Sequence, residues 1–196
     1  RCQRSAAPRY GTNTQLKENE RAMRRKDREM DAAFAYRIVD KCAWAALSMV
    51  CPDGTPYCVP LSIVRDEDAV YFHCAMQGKK IDALRIDPRV CIVCVGDTRC
   101  MERIFTLEYE SAILTGDACE VTDAAEKTAA LRLLCARYTP GNMENFDTEV
   151  ERSLARTAVW RVSIHEITGK RKKYDRQGRE LKYGRMEEAP ETAGGG

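Results

Sequence analysis

The chain has 196 residues, 44% of them hydrophobic and 32% charged, and its 32 basic and 30 acidic side chains leave a net charge of +2. That length fits one globular domain able to bury an apolar core without disulfides or a structural metal. The near balance of charge gives no field that would steer the protein onto nucleic acid or an anionic bilayer, and no apolar run approaches the ~20 residues needed to span a membrane.

The ten cysteines, at 2, 42, 51, 58, 74, 91, 94, 100, 119 and 135, lie mostly inside strand-like or helical apolar runs. Those are not the spacings of a small stapled scaffold, so a reduced, cytoplasmic chain is expected. The N-terminus, Arg1 to Met30, is polar where an export signal needs an apolar centre.

In chain order, residues 1–28 read as a polar arm that becomes charge-dense from Glu18. Asp31 is a plausible cap for a helix through Cys42, in which Phe34, Ile38, Val39 and Cys42 recur at helical spacing. Strands are expected at Trp44–Val50, Tyr57–Arg65 and Ala69–Cys74, joined by the turn-forming runs Pro52-Asp53-Gly54 and Asp66-Glu67-Asp68. A short helix, Gly78–Ile86, stops before Pro88. Strands follow at Arg89–Gly96 and over the long stretch Ile104–Val121, where Gly116 permits a bend. Asp123 caps a helix through Tyr138, a second helical piece covers Phe146–Leu154, and the last strand runs Thr157–Ile167. Beyond it, residues 171–196 are charged, finish in Gly-Gly-Gly and read as a flexible tail.

Six strands in hairpin order, without strand–helix–strand alternation, point to a mainly β fold: a six-stranded antiparallel barrel over residues 29–170 with peripheral helices. No Gly-x-Gly-x-x-Gly occurs, which disfavours a Rossmann fold.

The chemical candidates divide unevenly. Cys91 and Cys94 are three apart in a strand and so face opposite sides, which prevents them from sharing an ion; reduced core cysteines explain them. No nucleophile elbow is present. The informative segment is Val70-Tyr71-Phe72-His73-Cys74-Ala75 followed by Met76-Gln77-Gly78-Lys79-Lys80-Ile81. A strand ends there, a glycine loop follows, and a helix opens on two lysines. Cations at a helix N-terminus oppose its dipole, so either both reach solvent as an ordinary surface pair or an anion such as a phosphate sits between them. Alternation puts Tyr71 and His73 on one strand face, a polar aromatic surface suited to a planar ligand, although a strand histidine is also often simply a satisfied, half-buried residue. Tyr109 and Ser111 share a face in the same way. Trp160 is either a stacking platform or part of the core.

These segments, together with Met23-Arg24-Arg25-Lys26-Asp27-Arg28, Gly54-Thr55-Pro56-Tyr57-Cys58-Val59-Pro60-Leu61, Asp87-Pro88-Arg89-Val90, Tyr109-Glu110-Ser111, Arg156-Thr157-Ala158-Val159 and Glu166-Ile167-Thr168-Gly169-Lys170, resemble the nitroimidazole-resistance branch of the pyridoxamine phosphate oxidase-like split-barrel flavoproteins. The likeness covers about residues 23–171 in the family's order. It implies a six-stranded split β-barrel, a homodimer with its two sites at the subunit interface, and bound FMN. By the same resemblance Lys80, helped by Lys79, would hold the FMN phosphate. The backbone of Val59, Pro60, Leu61 and Ser62 would edge the isoalloxazine, and Cys74 and Ala75 would line the ribityl path. Tyr109 and Ser111 would reach in from the second subunit, and Trp160 is carried as a further flavin contact. Relatives often have histidine where this chain has Lys79, and Cys58 and Cys74 occupy positions that are small in relatives.

The expected activity is therefore an FMN-dependent reduction of a small planar acceptor, with a nitroheterocycle as the family-implied example and His73 as the catalytic donor of a proton or hydrogen bond. The alternative is a non-catalytic flavin- or haem-binding protein in which His73 ligates iron. A small barrel used for oligonucleotide or protein contact is a third reading, which the charge balance opposes.

Overall fold

The computed structural model describes residues 23–185. The expected arm therefore lies outside the described residues as far as position 22, and the tail from 186 onward does too.

The strands are β1 (Glu29–Met30), β2 (Ala45–Val50), β3 (Pro56–Leu61), β4 (Val64–Asp66), β5 (Ala69–Ala75), β6 (Arg89–Met101), β7 (Thr106–Glu120), β8 (Thr157–Tyr174) and β9 (Glu180–Leu181). The helices are α1 (Ala32–Lys41), α2 (Lys79–Ile86), α3 (Ala124–Tyr138) and α4 (Phe146–Ser153). Both predicted caps are made: the Asp31 carboxylate accepts from Phe34 N at 2.7 Å, and that of Asp123 accepts from Glu126 N at 2.8 Å.

All strand pairs are antiparallel, in the order β3-β2-β6-β7-β8-β5-β4, with β1 and β9 added against β8. The fold is mainly β with peripheral helices, as expected for a split barrel. One difference from the sequence reading explains the split. The run Tyr57–Arg65 is not one strand: β3 pairs with β2, β4 pairs with β5, and the two lie at opposite ends of the hydrogen-bonded path although only Ser62 and Ile63 separate them. The barrel is thus joined covalently where its hydrogen bonding is interrupted. The Tyr138 hydroxyl stands in for a partner strand at this gap. It accepts from Ile63 N at 3.1 Å and donates to Ile63 O at 2.9 Å, and so satisfies both backbone groups of a residue with no exposed surface.

Two apolar clusters follow from this geometry. Inside the barrel, Leu47, Phe72, Ile92, Leu114, Trp160 and Val162 pack with Phe34 and Ile38 of α1 and Ile81 and Leu84 of α2. Outside it, Val64, Tyr71, Val121 and Val159 pack under Leu131 and Leu134 of α3 and Phe146 of α4. At Gly116 the β7–β8 register shifts, and a Cβ there would stand 2.1 Å from Ser163 O, so a side chain cannot occupy the bend.

Several boundaries move. β6 continues past Gly96 to Met101 through an irregularity between Val95 and Thr98, and β7 starts after a left-handed turn at Phe105 (φ 48°). The expected barrel boundary at 170 falls inside β8, which runs to Tyr174 before the chain returns as β9, so residues 171–181 include strand and not only tail. Among the described residues eight cysteines are free thiols, whereas Cys119 is disulfide-bonded, which departs from a wholly reduced set. No helix among the described residues is long and apolar enough to cross a membrane.

Candidate functional site

The lysine pair is built by a strand, a loop and a helix start. β5 ends at Ala75, and Gly78 turns the chain into α2 with φ 132°, a conformation that disfavours any side chain even though the space beside it is open. No side chain caps α2, which leaves its first-turn N–H groups available to an outside acceptor. Lys79 Nζ lies 4.6 Å from the centre of the Tyr57 ring, and Lys80 Nζ lies 5.3 Å from that of Phe72. Neither ammonium pairs with a carboxylate of the described residues.

Lys80 shapes its neighbours electrostatically. Burial pushes the His73 imidazole below its ordinary pKa and the Lys80 charge adds to that effect, so the ring is neutral at neutral pH. Burial pushes the Cys74 thiol up, opposed by the same lysine.

The two neighbours nevertheless serve different faces of β5. His73 stands opposite Val159 of the outer cluster, whereas Cys74 stands opposite Ala158 of the barrel interior. His73 therefore turns toward α3 and α4, where it lines a cavity of about 280 Å³ together with Ser62, Cys135, Tyr138, Asn142 and Glu149. The cavity is walled mainly by Leu131, Leu134, Phe146 and Val150, and is thus an apolar space with a few polar groups at fixed points.

The expected polar surface of Tyr71 and His73 does not form. Tyr71 is 8% exposed beneath α3, and its hydroxyl donates to the Glu126 carboxylate at 3.1 Å; burial and that bond raise its pKa. Trp160 is also corrected as a stacking platform: at 2% exposure its ring is barrel core, because β8 alternation turns Val162 and Trp160 inward together.

The other residues implied by the resemblance fall into two groups. Val59 and Leu61 lean on the barrel core from β3, Pro60 points outward, and Ser62 reaches the cavity mouth. Cys74 is half-buried and Ala75 exposed beside the lysine loop. Ser62 thus shares the cavity with His73, while Cys74 and Ala75 end β5 just before the lysine loop, with Lys80 near enough to act on the Cys74 thiol. Tyr109 and Ser111 do not. They lie on the first half of β7, opposite Thr98 and Val95 of β6 and Lys172 and Lys170 of β8.

The sequence reading missed Tyr138, Asn142 and Glu149. The stripe Leu131, Leu134, Tyr138 at helical spacing was the available signal, and it marks the α3 face that covers β5. A second surface is also visible. Outward positions of neighbouring strands expose Val50 on β2, Val95 on β6 and Ile113 on β7 at 40–45%.

Comparison with known proteins agrees with this architecture. A proposed 5-nitroimidazole antibiotic resistance protein from Bacteroides thetaiotaomicron is 23% identical, with 71% of this chain and 83% of that chain covered and a TM-score of 0.60. An FAD and haem binding protein from Mycobacterium smegmatis is 19% identical over 86% of this chain and 92% of that one, with a TM-score of 0.62. An FAD-binding protein from Mesorhizobium loti is 19% identical over 74% and 96%, with a TM-score of 0.55. No curated protein matches the sequence. The sequence profile of pyridoxamine 5'-phosphate oxidase matches residues 26–171, the segment that carries every barrel strand from β1 to most of β8, and the chain belongs to that family.

Proposed function

We propose that this protein binds FMN at the rim formed by Gly78–Lys80 and β3, and uses it to reduce a small planar acceptor seated toward the His73 cavity. The observation that carries this reading is the lysine pair. Two ammonium groups stand at an uncapped helix start, against its dipole, where Asp82 of the same turn and Asp53 near Lys79 offer charge but form no close ion pair with either. The FMN phosphate, with close to two negative charges near neutral pH, suits that donor set.

Lys80 and the first-turn N–H groups of α2 would hold the phosphate, with Lys79 adding charge from its place over Tyr57. The β3 backbone and Ser62 would border the ring. Bound flavin supplies two-electron reduction at its N5 edge. His73, neutral and at the cavity mouth, would orient the acceptor by a hydrogen bond and return a proton to the reduced product. The apolar walls from α3 and α4 would exclude water from that space. A nitroheterocycle is the acceptor class that the family resemblance favours, and the Bacteroides relative is described in those terms.

The exposed apolar area around Val95 and Ile113 fits a homodimer contact, which would also let Tyr109 and Ser111 of a second copy approach a site that they do not reach within one chain. Replacing Ile113 with Lys and measuring mass in solution tests that contact; an unchanged dimer refutes it.

Titration with FMN tests the flavin reading directly. Flavin fluorescence should quench on binding, and Lys80→Ala should weaken the affinity. Equal affinity in the variant sinks the assignment. The haem reading keeps one specific support, a neutral imidazole at a cavity mouth in a family with a relative described as binding FAD and haem. An intense Soret band in place of flavin bands would decide for it.

A further inference from the structure

Two features at opposite ends of the β6–β7 pair have no role within one chain. At one end the hairpin between the strands carries an apolar tip. Phe105 is 98% exposed, and Ile104 and Leu107 are each about half exposed. Phe105 also takes a left-handed backbone (φ 48°), which a bulky side chain disfavours and asparagine tolerates. A large ring held in water on a strained turn gives the isolated chain no packing, whereas it suits a tip that another surface covers. At the other end lies an open groove of about 790 Å³, lined by Val50, Pro56 and Pro88 together with Arg89, Asp117 and His165. The register shift beside Gly116 leaves His165 as the extra residue of β8, with its Nε2 3.6 Å from the Asp117 carboxylate.

Tip and groove belong to one face of the sheet. Alternation along β7 turns Leu107, Tyr109, Ser111 and Ile113 away from the core residues Ala112 and Leu114. The β6 residues opposite them, Cys100, Thr98, Val95 and Val93, share that side. The pair Val95–Ser111 lies midway between Arg89–Asp117 at the groove and Met101–Thr106 beneath the tip. A second copy laid face to face, and turned through half a revolution about an axis crossing the strands at that pair, brings each tip over the other copy's groove. The charges match in this arrangement. The tip carries Glu102 and Arg103, which form no ion pair among the described residues, and the groove offers Arg89 and Asp117, whose side chains are 77% and 50% exposed. At a rise of ~3.3 Å per residue and a strand spacing of ~4.8 Å, the face of β3, β2, β6 and β7 covers about 600 Å², and an inserted tip brings it toward the ~800 Å² per partner of a specific interface.

We propose that in the homodimer the β6–β7 hairpin tip of each copy, with Phe105 at its apex, inserts into the groove beside Arg89 and Asp117 of the other copy.

The inference rests on the homodimer reading above and adds which element of one copy reaches which site of the other. Phe105 fills the apolar part of the groove, Arg103 meets Asp117, and Glu102 meets Arg89. Within a single chain the tip stands roughly 35 Å along β7 from the groove, so no chain can fill its own.

The test uses the full chain with Phe105 replaced by the photoreactive p-benzoylphenylalanine, irradiated and mapped by mass spectrometry. The expected product has twice the chain mass and joins position 105 of one copy to residues 87–91 or 116–117 of the other. A cross-link from tip to tip, or to any other segment of a dimer, overturns the proposal and leaves the homodimer reading standing. A chain that stays monomeric in sedimentation overturns both. Phe105→Asn gives a second measurement, because asparagine suits the left-handed backbone and the folded chain should keep its thermal midpoint. Its dimer dissociation constant should rise on the order of 10-fold or more, as for loss of one buried aromatic anchor. An unchanged constant in Phe105→Asn, with Ile113→Lys dissociating the dimer, also overturns the tip contact.

Discussion

Tyr138→Phe removes one oxygen and leaves the ring, which makes it a clean probe of the barrel gap. The hydroxyl is the partner of both Ile63 N–H and Ile63 C=O, and Ile63 is wholly buried. Each buried backbone group left without a partner costs about 1–3 kcal/mol. The pair would therefore cost about 2–6 kcal/mol if the site stayed dry, and the lower part of that range applies because Tyr138 also lines the His73 cavity, from which water can reach the vacated position. We expect a loss of about 2–3 kcal/mol, read as a lower urea midpoint with unchanged m-value. In a domain of this size that corresponds to a fall in Tm of about 2–4 °C per kcal/mol. A loss below ~0.5 kcal/mol, the range of ordinary surface substitutions, would refute the claim that this hydroxyl replaces a missing strand partner.

Gly116→Ala should be far worse than a usual glycine substitution, because its Cβ would overlap Ser163 O at 2.1 Å; overpacking of this kind costs about 3 kcal/mol, and a thermal melt within 2 °C of the parent would contradict it. Lys80→Ala should weaken FMN binding by roughly 10- to 100-fold, the equivalent of one charge-assisted contact, measured by fluorescence titration. His73 sets a pH dependence. Its folded pKa lies below its ordinary value, so its contribution to stability is complete above about pH 6.5 and is lost as pH falls through the depressed value. Urea midpoints that fall equally between pH 7.5 and 5 in His73→Asn and the parent would rule this out. FMN should in turn raise the His73 pKa by screening Lys80, visible as a shifted imidazole titration in NMR spectra.

Local chemistry carried much of this fold into the sequence. The caps at Asp31 and Asp123, the hairpin turns at Asp53-Gly54 and Glu67, and the bend at Gly116 are each fixed by residues within a few positions. The break between β3 and β4 was not legible, because Val59 to Arg65 reads as one alternating run and only the separate partners, β2 and β5, divide it. Lys79 and Lys80 were found through their conflict with the helix dipole. Tyr71 was misplaced because period-two alternation tells which residues share a face but not what later covers that face, and here α3 covers it from more than fifty residues downstream. Trp160 is the same case seen from inside the barrel.

β8 is central to the sheet although it comes late in the chain. It separates β7 from β5 and also receives β1 and β9. During synthesis, everything from Glu29 to Ser153 emerges with β5 and β7 each lacking a neighbour along one side, and those bare edges are templates for pairing with other chains. Only when Thr157–Tyr174 inserts between them are both edges filled at once. Conversion from a vulnerable nascent chain to a complete split barrel is thus concentrated in one eighteen-residue insertion, and its long sequence separation from β5 makes that step slow relative to the local hairpins.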